Sequence, residues 1–334
     1  MVKTIAIVTP VLDDWVSFIG LVTEIADRFT GFDWAFHIFA VDDGSAVPFD
    51  PAEIMLRSGS CVKSLEIIRL AANFGHQRAI AVGLCAIADS SEADIVVVMD
   101  SDGQDRPGDI ALLLAASGAC PRDVVFAGRA KRSEPRLFRC WYCVYKALFY
   151  ALTGKAIDFG NYCAMPMAAV RRLVHMPELW NNLAASVMRS RLSYVSVPTA
   201  RGSRCAGRSQ MNLVALIVHG LSALSVYADK IFVRVLLAAG LVSSLAGFAI
   251  VVVATIRIAT DLVIPGWATT VVGDLLIMLL QVLVIVIAAS LTVLAGRSTR
   301  PIVPIVDCLC FVAARERCRL DHRGVVAAVA RPAA

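Results

Sequence analysis

Asp100 and Asp102 stand one residue apart at the end of an apolar run, Ala93 to Met99, broken only by Asp94. Carboxylate oxygens on one tight turn suit a hard divalent cation, and Gln104 offers a further oxygen. Mg²⁺ or Mn²⁺ held by Asp100, Asp102 and Gln104 would bridge a diphosphate and stabilise charge on a departing nucleotide. The same residues can also serve as plain strand-end acids capping the next helix, and spacing alone leaves both readings open. A second acidic group, Asp42-Asp43-Gly44-Ser45, closes the run Phe36 to Val41. A carboxylate there can bond ribose hydroxyls or a base edge, although the four residues also make good turn chemistry. Thr9, Pro10, Asp13 and Asp14 follow the first apolar run. A cleft lined by this many acids calls for a cation or a sugar.

The basic complement is Arg201, Arg204 and Arg208, in the glycine-containing loop 201–209. Guanidinium forks match phosphate oxygens. Charge that only anchors a domain beside an anionic membrane is the plainer alternative. Arg129 and Arg132 follow another short apolar run and can reach the same pocket. His76 sits in Asn73-Phe74-Gly75-His76-Gln77, and His219 on an apolar helix, where a lone histidine is usually structural.

Strands are expected at Lys3 to Thr9, stopped by Pro10, then at Phe36 to Val41, Leu65 to Leu70, Ala93 to Met99 and Val124 to Ala127. Helices are expected up to Phe29, over Ala79 to Ala88, from Gly108 and over Leu137 to Leu152. Asp158 to Tyr162 reads as a polar turn facing the cleft. Alternating short apolar strands and helices imply an α/β fold whose mostly parallel sheet is covered by helices. Ligands of such sheets bind beyond the carboxyl ends of the strands, where the acids lie.

The 334 residues are 58% hydrophobic and 18% charged, with mean hydropathy +0.70. The surplus apolar content lies in 211–300. Val235 to Ile256 carries no charge, and Leu275 to Ala295 has Gln281 as its strongly polar residue. Each approaches the roughly 20 residues that span a bilayer core. Lys230, Arg234, Arg297 and Arg300 flank the pair on one side, so both termini and the N-terminal domain are expected in the cytosol, in an inner or plasma membrane. The expected organisation is a nucleotide-binding domain over 1–210, an amphipathic juxtamembrane helix over 211–230, two spanning helices within 231–300, and a cytosolic tail over 301–334.

The net charge of +5 is no nucleic-acid signature. Ten cysteines without a framework imply reduced thiols. Cys140 and Cys143 form a lone C-x-x-C. Cys308, Cys310, Cys318 and His322 are poorly spaced for zinc.

V-D-D-G-S at 41–45, N-F-G-H-Q at 73–77, D-S-D-G-Q-D at 100–105, G-R at 128–129, R-x-x-R-x-A-G-x-S from Arg201 to Ser209 and the trailing helix pair occur in this order. Together they resemble the family 2 glycosyltransferases with a GT-A fold, in particular the polyprenyl-phosphate glycosyltransferase branch. The resemblance implies a nucleotide-sugar donor, UDP- or GDP-linked, a polyprenyl phosphate acceptor and contact with membrane lipids. It implies that Pro10, Asp14, Asp42 and Asp43 hold the nucleoside, that Arg129 and Arg208 assist in donor or phosphate binding, and that Asp100, Asp102 and Gln104 hold metal and diphosphate. Arg201 and Arg204 would meet phosphate and, with Asp102, act in the transfer. It also hints at a homo-oligomer. The chain departs from the family pattern at Val11-Leu12-Asp13-Asp14, at Gly103, and at Asn161-Tyr162-Cys163, where an acid and a base are usual. Another lipid or glycan acceptor, or a non-catalytic membrane partner of a transferase, are the competing readings.

Overall fold

The computed structural model describes residues 2–54, 56, 59–90, 92–129, 136–156, 159–200, 202, 204, 213–259, 266–320 and 326–331. The chain divides into two units. One comprises Met1–Lys146, Ala156–Val226 and Ile302–Ala334, and the other Ala147–Lys155 and Tyr227–Pro301.

The first unit is built on one sheet. Its strands are β1 (Lys3–Val11), β2 (Trp34–Asp42), β3 (Val62–Leu70), β4 (Ile95–Val98), β5 (Val124–Arg129), β6 (Phe159–Pro166), β7 (Tyr194–Thr199), β8 (Val312–Leu320) and β9 (Val326–Arg331). They lie in the order β7-β5-β6-β4-β1-β2-β3-β8-β9. β1 pairs in parallel with β2 and β4, β2 with β3, and β5 with β7, while β6 and β8 run against their neighbours. Side chains alternate between the two faces, and each face has its own core. Ala6, Val8, Val96 and Val98 join α2 (His76–Ser90), α5 (Met167–Leu173) and α6 (Leu183–Arg189) on one side. Ile5, Ile7, Ile95 and Val97 join α1 (Trp15–Arg28) and α3 (Ile110–Ala119) on the other. Every residue of β4 is buried, as an apolar run covered on both faces requires.

Pro10 does not end β1. It pairs with Val41, and the strand runs on to Val11. Val8 accepts the Met99 N–H, so alternation turns the backbone of Pro10 toward the same side, beyond the end of β4. No ladder bond is lost there, and the Pro10 carbonyl accepts from Ser101 Oγ at 3.3 Å. The expected polar turn at 158–162 is the start of β6 from Phe159 onward, an inserted antiparallel strand.

The larger departure is at the C-terminus. Residues read as a tail supply β8 and β9, which extend the sheet beyond β3. Glu66 on β3 has a side chain only 5% exposed and takes Arg315 Nη2 at 2.6 Å and Arg317 Nη2 at 3.2 Å. These residues share one face of the antiparallel pair, so the contacts are cross-strand. On the opposite face Cys318 is buried with Leu65 and Ile67, and its thiol pKa is pushed up to about 11 by burial.

α4 (Arg136–Thr153) matches the helix expected at 137–152. α7 (Leu213–Ser225) ends five residues before the close of the helix expected over 211–230. A separate helix, α8 (Ala228–Ala259), begins before Lys230 and leads to α9 (Trp267–Ser298), and the two pack on each other. Each has 32 residues, with mean hydropathy of 2.5 and 2.8 over the most apolar windows. At about 1.5 Å per residue each is long enough to cross a bilayer core of about 30 Å. In the same unit the Arg234 guanidinium bonds the Ala151 carbonyl at the end of α4.

Removing both arginines that face Glu66 would leave a buried carboxylate without its charge partners. R315A/R317A is expected to lose about 3 kcal/mol, the lower end of the range for breaking a buried pair. The loss is read as a lowered Tm of the detergent-purified chain, with R315K/R317K recovering part of it.

Candidate active site

The loops at the carboxyl ends of β1, β2 and β4 converge. Asp42, the last residue of β2, is fully buried. Its Oδ1 accepts the Ser45 N–H at 2.8 Å, and Arg69 Nε on β3 lies 3.4 Å from Oδ2. Arg69 reaches in turn toward Glu316 of β8, at 3.9 Å. Asp43 is held from the other side, accepting the backbone N–H of Phe74 at 2.8 Å and of Gly75 at 3.0 Å. Desolvation raises the Asp43 pKa, and those two N–H groups act against the rise. Gly44 makes the intervening turn at φ +81°, and a Cβ there would sit 2.7 Å from the Asn73 nitrogen.

The first loop is clamped to the second. Asp13 Oδ1 accepts the Ala46 N–H at 2.7 Å, and Ser45 Oγ accepts the Asp13 N–H at 2.9 Å. Trp15 Nε1 donates to the Val47 carbonyl at 2.8 Å, and its ring lies against Phe49. Asp14, assigned to the nucleoside by resemblance, caps α1 by accepting the Ser17 N–H at 3.3 Å.

The acidic loop leaves β4 as a closed turn. The Asp100 N–H donates to Asp105 Oδ2 and the Gln104 N–H to Asp102 Oδ1, both at 2.9 Å. Arg204 reaches this turn, its Nη2 standing 2.9 Å from Asp102 Oδ2. The Gly202 N–H also donates to the Gln104 carbonyl at 2.9 Å. The approach is so close that a Cβ on Gly202 would lie 2.2 Å from the Gly103 oxygen. Backbone contact of this kind admits no side chain. Arg204 Nε and Nη1 are buried and have no hydrogen-bond partner among the described residues.

His76 opens α2, with Nε2 3.4 Å from Asp100 Oδ1 and 3.0 Å from Asn161 Nδ2. Desolvation lowers its pKa, although 41% of the side chain stays exposed and the charges of Asp105, Asp43 and Asp102 pull the other way. The three residues where the family pattern was lost take separate places. Asn161 faces His76, the Tyr162 hydroxyl donates to the Arg106 carbonyl at 2.8 Å, and Cys163 is buried in the core. Burial raises the Tyr162 and Cys163 pKa values, so both stay protonated.

The structure therefore brings together Asp42, Asp43, Asp100, Asp102 and Arg204 around the strand ends, with Pro10 binding the acidic loop through its carbonyl. Arg129 ends β5 beside Thr199, and its side chain lies outside the described residues, as do Arg201 and Arg208 entirely. Arg69 was not singled out from sequence, although its register opposite Asp42 is what parallel pairing of β2 and β3 produces. No group of three His, Cys, Asp or Glu residues arranged to hold a metal occurs among the described residues. Two carboxylates nevertheless suit Mg²⁺ or Mn²⁺, because substrate phosphates commonly complete such coordination.

Residues 7–174, half of the chain, match the family described as Glycosyl transferase family 2. The chain belongs to this family. It is an α/β glycosyltransferase of the GT-A fold, as the sequence motifs implied. It is 26% identical over 278 residues to the undecaprenyl-phosphate 4-deoxy-4-formamido-L-arabinose transferase of Salmonella paratyphi B (strain ATCC BAA-1250 / SPB7), covering 80% of each chain. It is also 26% identical over 249 residues to the uncharacterized glycosyltransferase YkcC of Bacillus subtilis (strain 168), covering 72% of this chain and 73% of that one. Among solved structures, glucosyl-3-phosphoglycerate synthase from Mycobacterium tuberculosis aligns with a TM-score of 0.47 at 14% identity, covering 68% of this chain and 79% of that one.

Asp43 carries a testable cost. In D43N the amide oxygen can still accept from Phe74 and Gly75 while the desolvated charge is gone. A carboxylate whose pKa is raised by folding loses stability as pH rises through that pKa. D43N is therefore expected to have a higher Tm than the parent at pH 7. The difference should shrink as pH falls toward the ordinary carboxylate value of about 4. Thermal unfolding of both proteins at a series of pH values from about 4, the ordinary carboxylate value, up to neutrality checks it.

Proposed function

We propose that this glycosyltransferase moves a sugar from a UDP- or GDP-linked donor to a polyprenyl phosphate at a membrane. The observation that carries the reading is the half-filled guanidinium of Arg204. One of its nitrogens pairs with Asp102, and two others are buried with no partner among the described residues. An arginine so placed joins the acidic loop to an incoming phosphate, the recognition its fork geometry favours. The long α8 and α9 supply the lipid setting, and the similarity to the Salmonella transferase supports undecaprenyl phosphate as the acceptor class. Lys230, Arg234, Arg297 and Arg300 support a cytosolic side for both termini.

The chemistry asks little proton transfer of the protein. A phosphate monoester has a second pKa of about 6 and is largely ionised at neutral pH. An oxygen of that phosphate attacks the sugar C1, the bond from C1 to the donor phosphate breaks, and the nucleoside diphosphate leaves with the electron pair. A single displacement of this kind inverts the anomeric centre. The residues must align two anions and offset their repulsion. Asp42 and Asp43 line the nucleoside end, Arg204 the phosphates. Asp100 and Asp102, with Gln104 beside them, would hold Mg²⁺ or Mn²⁺, which supplies positive charge to the diphosphate leaving group.

The test is transfer by the detergent-purified chain, with undecaprenyl phosphate, Mg²⁺ or Mn²⁺ and a panel of UDP- and GDP-sugars. One donor should give a chloroform-soluble glycolipid, and chelator should abolish it. D102N is expected to lower turnover by at least about 100-fold while the chain still folds cooperatively. Near-parental turnover by D102N would remove the acidic loop from the mechanism. Transfer to a water-soluble acceptor with no lipid product would remove the polyprenyl phosphate.

A further inference from the structure

The contacts of His76 have no place in the reaction as derived so far. The ring lies at the first turn of α2, on the face that looks toward β6. Its Nε2 has two polar neighbours, the Asn161 amide at 3.0 Å and Asp100 Oδ1 at 3.4 Å. A ring lone pair directed at a carboxylate would repel it. Both neighbours are satisfied when Nε2 carries the proton and the Asn161 amide presents its oxygen, since the two ends of an amide are interchangeable in such a contact. The ring N–H then donates to Asn161 and faces Asp100 Oδ1 at 3.4 Å.

Each member of this chain is fixed from a different element. Asn161 sits on β6, which is paired on both sides, with β4 through Val98↔Cys163 and with β5 through Gly128↔Phe159. His76 is set by the turn at Gly75, whose carbonyl accepts from Arg78 and Ala79 and whose N–H is bound by Asp43. Asp100 stands two residues beyond the end of β4, where its own N–H is taken by Asp105. The side chain of Asp100 is thus faced by one imidazole that is itself held from β6. We infer that His76, held by Asn161, is a positioning residue that orients the Asp100 carboxylate toward the divalent cation and diphosphate of the donor. This rests on the donor-site reading proposed above. Mutating the groups that orient a metal ligand from behind typically costs about 10–100-fold in metal affinity or activity.

Mn²⁺ binding is the direct readout, because it needs no knowledge of the sugar. Free Mn²⁺ is followed by electron paramagnetic resonance as the detergent-purified full chain is titrated with the metal alone. H76A is expected to weaken Mn²⁺ binding about tenfold while Tm stays at the parental value. H76Q, whose amide can donate an N–H to Asp100, should stay within about threefold of the parent. N161A should weaken binding too, and H76A/N161A should be no weaker than H76A, because the two residues act in series. Parental Mn²⁺ affinity in H76A would overturn the inference. So would additive losses in the double variant, or an H76A defect that H76Q shares in full. D100N separates the two levels of argument. If D100N binds Mn²⁺ like the parent, the donor-site reading itself fails. If D100N loses binding while H76A does not, only the role of His76 is wrong.

Discussion

Mutual repulsion among carboxylates is the constraint that shapes this molecule. Asp42, Asp43, Asp100, Asp102 and Asp105 gather where β1, β2 and β4 end, and two of them, Asp42 and Asp43, are buried outright. Each is restrained by a different partner. Ser45 and Arg69 hold Asp42, two backbone N–H groups hold Asp43, His76 faces Asp100, Gln104 and Arg204 hold Asp102, and Asp105 closes the turn. Such a concentration of negative charge gains nothing for folding. It is the kind of local cost that proteins retain at functional sites.

The sequence was informative where one local rule decided the outcome. β4 follows from four β-branched residues in a row, and the ends of β2 and β4 follow from the acids behind them. Pro10 shows where a local rule fails. Its missing N–H matters only if a neighbour needs it, and that depends on β4 being short. β8 was hidden for a similar reason. Residues 301–334 read as a cytosolic tail, and only Glu66, hundreds of residues earlier, gives Arg315 and Arg317 a buried partner on β3. Period-2 patterning marks strands with one apolar face, and this strand has charge on both.

The acidic and basic loops were both visible as motifs, but not their contact. Arg204 meets Asp102 about a hundred residues away in the chain, and the meeting depends on Gly202 pressing against Gly103. Neither glycine signals this by itself. Gly103 itself stands at φ +83°, a backbone conformation that glycine adopts freely. At Asn161 the loss of an acid does not empty the position. The amide still addresses the cleft through His76, while Tyr162 and Cys163 are turned into scaffold.

The place of β8 in chain order has a consequence for how the protein is made. β3 is synthesised early, yet its outer neighbour is encoded after both long apolar helices. Roughly 240 residues separate Leu70 from Val312, which at ribosomal rates of about 5–20 residues per second is some tens of seconds. Throughout that interval the N-terminal sheet has an open edge carrying Glu66 without its two arginines. An uncovered edge is a template for wrong pairing between nascent chains. The arrangement makes completion of the enzyme conditional on its membrane segment having already emerged. A chain that stalls or is cut inside the hairpin is left with an unfinished sheet.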